Sequence, residues 1–298
     1  MKNLINFLTP ALVWGSTWFV ITLQYGDVHP VLSVFWRFSG STLIMFALCF
    51  LKRSRLSFSP AEHLRFFFLG IFLFCLNYLA FYYAEQFISS ALVAVIFSGL
   101  AACNAVGSVL FLKKRVRRRT WVGAVLGLAG ITVIYGGQIM KAFNDHTVPY
   151  LALAITFLGV FSASAGNLIS QSNSGKGLPL LPSSAFGMFY GSLVCVLFVL
   201  GLDVPWVFEI SPIYILGLGY LIVFGTVLAF LTYLNLISSV GSDKAGYVMV
   251  VAPIIAVTIS FFFENFIPGP ATLLGLILCL SGQVCILGVP KFLRFRPA

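Results

Sequence analysis

The sequence predicts an all-α membrane protein of ten transmembrane helices in two inverted five-helix repeats. Three observations lead there. Of 298 residues, 60% are apolar and only 9% charged, against about 45–50% and about 25% in soluble domains. The apolar residues fall into ten segments, each close to the roughly 20 residues that cross a bilayer as helix. The second half of the chain also repeats the first weakly, at a shift near 150 residues. So few charges cannot cover a 32.6 kDa particle in water. An ordinary cytosolic enzyme, a disordered chain and a secreted disulfide scaffold are excluded.

Turn and charge signals place the segments near 6–25, 31–51, 64–84, 89–112, 119–137, 150–171, 183–202, 212–236, 245–263 and 271–289. The runs are too long, and alternate too little, for membrane strands. No small-residue cleavage site follows Lys2 and Asn3, so helix 1 is expected to be retained. Basic residues then sort the loops. Stretches 1–6, 51–65, 113–119, 172–182, 238–244 and 290–298 hold 16 of the 18 Lys and Arg, and the opposite loops hold only Lys141. The remaining one, Arg37, lies inside helix 2. The excess of basic residues on one side predicts cytoplasmic termini and a multi-pass inner-membrane protein. Asp27, Glu85, Asp145, Asp203, Glu209 and Glu264 lie on or near the other side. The run Lys113 to Arg119 is read as a topology anchor facing anionic lipid, not a nucleic-acid patch.

A shift of 150 aligns Tyr83 with Tyr233, Ser89 with Ser239, Phe111 with Phe261 and Lys114 with Glu264. A shift of 152 aligns Gly123 with Gly275 and Gly130 with Gly282. An odd-numbered helical repeat must invert in the membrane, which is the mark of alternating-access transporters. The halves divide as 1–141 and 142–298.

Polar groups in hydrocarbon are costly and each needs a reason. Arg37 lies six residues into helix 2, roughly 9 Å along its axis. It is a gate ion pair or an anchor for a substrate carboxylate, or else a tie to backbone carbonyls or a snorkelling cation. In helix 3, Asn77, Phe81 and Glu85 are spaced by four, with Tyr78 and Tyr82 beside them. Rings, amide and acid suit an amphipathic ligand. Glu85 could pair with Arg37, bind an ammonium group, exchange a proton, or simply sit solvated in a loop. Helix 1 places Trp14, Thr17 and Trp18 on one face, with Gly15 and Ser16 admitting a neighbour. Asn104 in helix 4 and Asn167 in helix 6 are mid-span amides that bind substrate or bond between helices. Tyr233, Asn235 and Tyr247 complete the candidate substrate-binding set. Gly159, Gly166, Gly225 and Pro253 are candidate hinges. Gly123 with Gly127, and Gly275 with Cys279, form small-xxx-small patterns for internal packing or a homodimer face.

In order along the chain, several motifs resemble the EamA-type exporters of the drug/metabolite transporter superfamily. They are VWGSTWFV at 13–20, FWRF at 35–38, and AEQ at 84–86 with Ser90 and AVI at 94–96. They continue with WVG at 121–123 through GLAGI at 127–131, then Ala252-Pro253 through Phe263-Glu264, Gly275 and Gly282. The resemblance spans nearly the whole chain. It implies ten helices in two inverted repeats, with helices 1, 3, 4, 6, 8 and 9 around a central cavity and helices 5 and 10 outside. It also implies export of metabolites such as amino acids, amines or toxic analogues. Two departures stand out. Cys103-Asn104 replaces the helix 4 Pro that would match Pro253, which predicts a straighter helix 4. Lys114 replaces the acid at its inner end.

The expected function is a secondary active or facilitative exporter of small amphipathic metabolites, with a channel or membrane enzyme as alternatives. Protons are a candidate coupling partner, membrane lipids surround the chain, and no cofactor or metal is expected. His29, His63 and His146 are read as loop residues with no ligand cluster. The six cysteines lie in apolar stretches and read as small buried hydrophobes. No metalloprotease, nucleophile-elbow or phosphate-loop motif occurs in the sequence. The loop arithmetic makes a direct prediction. A fluorescent reporter fused after Ala298 should fold in the cytoplasm, and alkaline phosphatase fused at Lys141 should be active. The reverse pattern of reporter activity would invert the topology.

Overall fold

Proline and serine start the helices. In a computed structural model, which describes residues 2–113, 118–145, 149–240 and 248–287, Pro30 opens α2 (Pro30–Leu51) after an extended His29. Pro60 opens α3 (Pro60–Leu69), where Ser59 and Glu62 form a reciprocal capping box. Pro at the first helical position loses no hydrogen bond and has its φ already set. The box starts the helix at Pro60 rather than near 64. His63 is therefore helical and not a loop residue, and its Nδ1 lies 3.0 Å from the Tyr190 hydroxyl.

The elements run as follows. After α1 (Lys2–Thr22), α2 and α3 comes a π-helical stretch, π1 (Gly70–Leu76), continued by α4 (Asn77–Ala84). Next are α5 (Ser90–Phe97), α6 (Leu100–Leu110), α7 (Arg118–Asp145), α8 (Pro149–Gly175) and α9 (Leu180–Gly201). Then α10 (Pro212–Ile222), a second π-helical stretch π2 (Val223–Leu228), α11 (Ala229–Val240), α12 (Val248–Phe263) and α13 (Pro270–Leu287) follow. Among the described residues there is no strand. Among the described residues, seven helices are long and apolar enough to cross a membrane, and Val248–Phe263 and Pro270–Ile286 are shorter apolar helices. The protein is a multi-pass, all-helical membrane protein.

Local features recur at the sequence shift. Both α2 and α9 span 22 residues and start 150 positions apart. Left-handed residues follow each, Arg53 at φ 51° and Asp203 at φ 50°. Ser59-Pro60 and Ser211-Pro212 both open helices with a serine cap, and each of those helices runs into a π-helical stretch.

The expected straightening of helix 4 does not occur. α5 and α6 are separated by a tight turn at Ser98 and Gly99, where the Gly99 N–H bonds the Ile96 carbonyl at 2.9 Å. The Ser98 hydroxyl donates to the Val95 carbonyl at 2.6 Å. A serine competing for backbone carbonyls deforms a helix without any proline.

Two compact units divide the chain. The first comprises 1–18, 89–150 and 229–298, the second 19–88 and 151–228. In the first unit, α7 and α13 pack through glycine. A Cβ on Gly130 would stand 2.5 Å from the Gly275 carbonyl oxygen and 2.7 Å from Cys279 Sγ. Gly123 meets Gly282 in the same way. The small-xxx-small patterns thus face each other within the chain. Gly15 of α1 likewise lies against α12, where an added Cβ would be 2.6 Å from Ile255 Cβ. In the second unit, α9 packs on α2, α3 and π1. Phe186 stacks on Phe66 at 5.7 Å, and Gly70 lies against Gly187 and Gly191. Cys49, Cys75, Cys195 and Cys279 are buried free thiols. Gly159 and Gly166 do not interrupt α8. They seat Phe81 and Leu73 instead.

These seams make a paired prediction. Gly130→Ala should cost about 1–3 kcal/mol through overpacking, read as a lower unfolding midpoint in detergent. Gly127→Ala, whose Cβ would meet nothing within 4 Å, should leave the midpoint at or above wild type. Equal effects would remove the packing argument.

Candidate functional site

The second unit holds a cluster of polar groups gathered around Arg37. The side chain is 0% exposed. Its Nε donates to Thr226 Oγ1 at 3.2 Å. The Thr226 hydroxyl in turn donates at 2.8 Å to the Leu221 carbonyl, five residues back. A reach of five residues matches the wider turn of a π-helix. Thr226, inside π2, thus bonds its own helix and receives the cation. On the other side, Arg37 Cζ lies 4.7 Å from the ring centroid of Tyr78 and 5.7 Å from that of Phe38. Tyr78 is the second residue after π1. Each π-helical stretch thus holds or adjoins a residue that grips the guanidinium.

Above this lies an acid-bearing layer. Tyr82 is 0% exposed, and its hydroxyl donates to Gln24 Oε1 at 3.1 Å. The Tyr82 hydroxyl is also a hydrogen-bond partner of Arg37 and lies within electrostatic reach of Glu85. The Tyr25 hydroxyl lies 3.1 Å from the Tyr82 carbonyl and 3.4 Å from Glu85 Oε2. Glu85 is only 6% exposed. It is not the solvated loop acid that one reading allowed. Ser33 and Tyr214 share a hydrogen bond of 3.0 Å between α2 and α10.

The helix 3 stripe divides by face. Tyr78 and Tyr82 turn to Arg37 and Gln24, whereas Phe81 packs on Gly159 of α8. Asn77 is buried, and its Oδ1 has no partner among the described residues. Asn167 is half-buried in α8.

The remaining candidates lie in the first unit. Trp14 makes edge contacts with Phe230 at 5.8 Å and Tyr233 at 5.1 Å. Trp18 packs on Phe97 at 5.2 Å. The Thr17 hydroxyl donates to the Val13 carbonyl at 2.7 Å, so its own helix already satisfies it. Asn104 is half-buried, with Oδ1 lacking a partner among the described residues. Asn235 is exposed. Tyr247, His146 and Lys114 lie outside the described residues. Among the described residues, no cluster of three or more His, Cys, Asp or Glu could hold a metal.

Sequence reasoning missed Thr226, Gln24, Tyr25 and Tyr214. Threonine in a helix usually bonds its own backbone, so nothing in its spacing singled out Thr226. Gln24 and Tyr25 stand at the polar end of an apolar run and resemble ordinary interface residues.

A family model described as the EamA-like transporter family matches residues 1–136 and 150–288. The chain belongs to the EamA-like transporter family. It is 26% identical over 273 residues to Protein PagO of Salmonella typhimurium, covering 88% of this chain and 85% of that one. It is also 26% identical over 251 residues to YedA of Escherichia coli K12, described as an uncharacterized inner membrane transporter, covering 83% and 78%. A crystal structure of a protein 17% identical superposes with a TM-score of 0.67 over 95% of each chain, which supports the fold alone.

In this EamA-like transporter, His29 lies just before α2 and its Nε2 is 3.0 Å from the Tyr83 hydroxyl. Its buried Nδ1 has no partner among the described residues. Desolvation holds the imidazole below its ordinary 6.5. A depressed histidine favours the neutral ring in the folded state, so the unfolded chain takes up the proton first as pH falls. The stability tied to His29 is therefore full above about pH 6.5 and declines below it. The unfolding midpoint should drop on acidification, and His29→Gln should flatten part of that drop. An identical pH profile in the variant would dismiss His29 as the group responsible.

Proposed function

We propose that the protein is a secondary active or facilitative transporter that exports small amphipathic metabolites, amino acids or related compounds, by alternating access. The proposed architecture has ten membrane helices in two inverted five-helix repeats, with both termini cytoplasmic in the inner membrane. One observation carries this reading: the family model matches two successive stretches, 1–136 and 150–288. The repeated capping serines and π-helical stretches support the same division. A repeat with an odd number of spans must lie inverted, which suits a carrier that opens to each side in turn.

The candidate binding groups support an amphipathic ligand. Within the second unit, Arg37, Tyr78 and Tyr82 combine charge, hydroxyls and rings; within the first, Trp14 and Tyr233 form a ring pair of their own. A few placed polar groups among aromatic surfaces orient a ligand while apolar contact supplies affinity. Protons remain candidate coupling ions, with Glu85 and Glu264 as candidate carriers.

Counterflow in proteoliposomes tests the proposal. With a pooled, labelled set of amino acids and amines, unlabelled substrate in trans should accelerate uptake of at least one member. Trp14→Ala should weaken that uptake while leaving folded protein in detergent. Flux without trans-stimulation would indicate a channel, and loss of folded Trp14→Ala protein would reduce Trp14 to a packing residue.

A further inference from the structure

Two of the buried thiols meet each other. Cys75 lies in π1 and Cys195 in α9, and their Sγ atoms are 3.5 Å apart across 120 positions of sequence. Both side chains are 0% exposed.

The approach is set by backbone. Helices in lipid come this close where small residues let them. A Cβ on Gly70 would stand 2.5 Å from the Gly187 carbonyl oxygen and 2.7 Å from the Gly191 nitrogen. A Cβ on Gly191 would stand 3.0 Å from Phe74 Cβ. Phe74 directly precedes Cys75, and Cys195 lies four positions after Gly191 on the same face of α9. The glycine seam therefore runs into the thiol pair. A disulfide needs such an approach, with Cβ atoms about 3.5–4.5 Å apart and an S–S bond of about 2.05 Å.

A lone thiol in apolar surroundings is inert, because nothing there solvates the reactive thiolate. Here each sulfur has an S–H donor beside it, in place of the water that burial excludes. Charged, water-soluble oxidants are kept out of the seam, whereas an uncharged organic hydroperoxide partitions into the bilayer.

We propose that Cys75 and Cys195 form a modification site, a dithiol that an organic hydroperoxide closes to a disulfide, clamping π1 to α9. In the first step one sulfur takes the terminal oxygen of the hydroperoxide. The O–O bond breaks, leaving a sulfenic acid and the alcohol. The second sulfur then attacks the sulfenic sulfur, the S–S bond forms, the S–O bond breaks, and the oxygen leaves as water. The two thiols give up two electrons and two protons, and the hydroperoxide takes both up as alcohol and water. The clamp sits three residues before Tyr78, so it fixes the helix that carries the ring on Arg37. It holds whether or not the chain carries a substrate, and so goes beyond the transporter reading.

The test uses the full chain in detergent with cumene hydroperoxide. After treatment, unfolding in an alkylating agent should find two of the six free thiols lost. Peptide mapping should show Cys75 joined to Cys195, and a reductant added after unfolding should restore both. The unfolding midpoint should rise, because the link closes a long loop. Cys75→Ala and Cys195→Ala should show neither the link nor the rise. Six free thiols after treatment, loss of thiols through another pair, or oxidation of Cys75 or Cys195 without a link between them would each overturn the site. A Cys75–Cys195 link with no rise in midpoint would overturn the clamp. If the variants fail to fold, the wild-type peptide map still decides.

Discussion

A cation held at zero exposure among membrane helices must be matched atom by atom, and Arg37 imposes that demand on the second unit. An arginine at the centre of a membrane helix costs about 2.5–3.5 kcal/mol on insertion scales. One hydrogen bond to a charged group returns about 1.5–3 kcal/mol, and a desolvated ring contact about 2 kcal/mol. Thr226, Tyr78 and the Tyr82 hydroxyl together offset that cost. Their positions depend on the π-helical stretches. Thr226 lies inside π2 and bonds the carbonyl five residues back while accepting from Arg37.

The first unit answers a different constraint. Lipid supplies no hydrophobic drive between helices, so close backbone approach has to substitute for it. The Gly123 and Gly130 face of α7 meets the Gly275 and Gly282 face of α13. Gly15 lets α1 reach α12. The second unit has a seam of the same kind, where Gly70 lies against Gly187 and Gly191.

Much of this was legible beforehand because the signals are local. Helix limits follow from charge runs, prolines and capping serines: the starts expected near 31, 89, 119, 150, 212 and 271 lie within one residue of a helix start, whereas those near 6 and 64 lie four residues inside their helices. Arg37 was conspicuous as the lone Lys or Arg well inside a span. The Glu85 reading was harder. Its place at a helix end suggested solvent, and only the Tyr25 side chain, 60 residues away in sequence, shows that it is buried. His63 reads as a loop residue in the sequence because hydropathy does not register the Ser59 cap that starts its helix at Pro60. Helix 4 lacks a proline yet breaks at Ser98 and Gly99, beside a Ser98 hydroxyl bond to the Val95 carbonyl that hydropathy does not record.

Sequence alone determined the class of the protein: composition, span length, loop charge and ordered motifs are properties of short stretches and sum along the chain. It also determined that glycine faces on α7 and α13 would pack closely. The tertiary structure decided which partner each face meets, and that Tyr78 and Phe81, three positions apart, serve different neighbours. It also brought Thr226 from 189 positions away to Arg37. The physical reason is range. Hydropathy and capping act within a turn or two of helix, whereas the orientation of a hydroxyl toward a buried cation depends on how distant helices rotate about their axes.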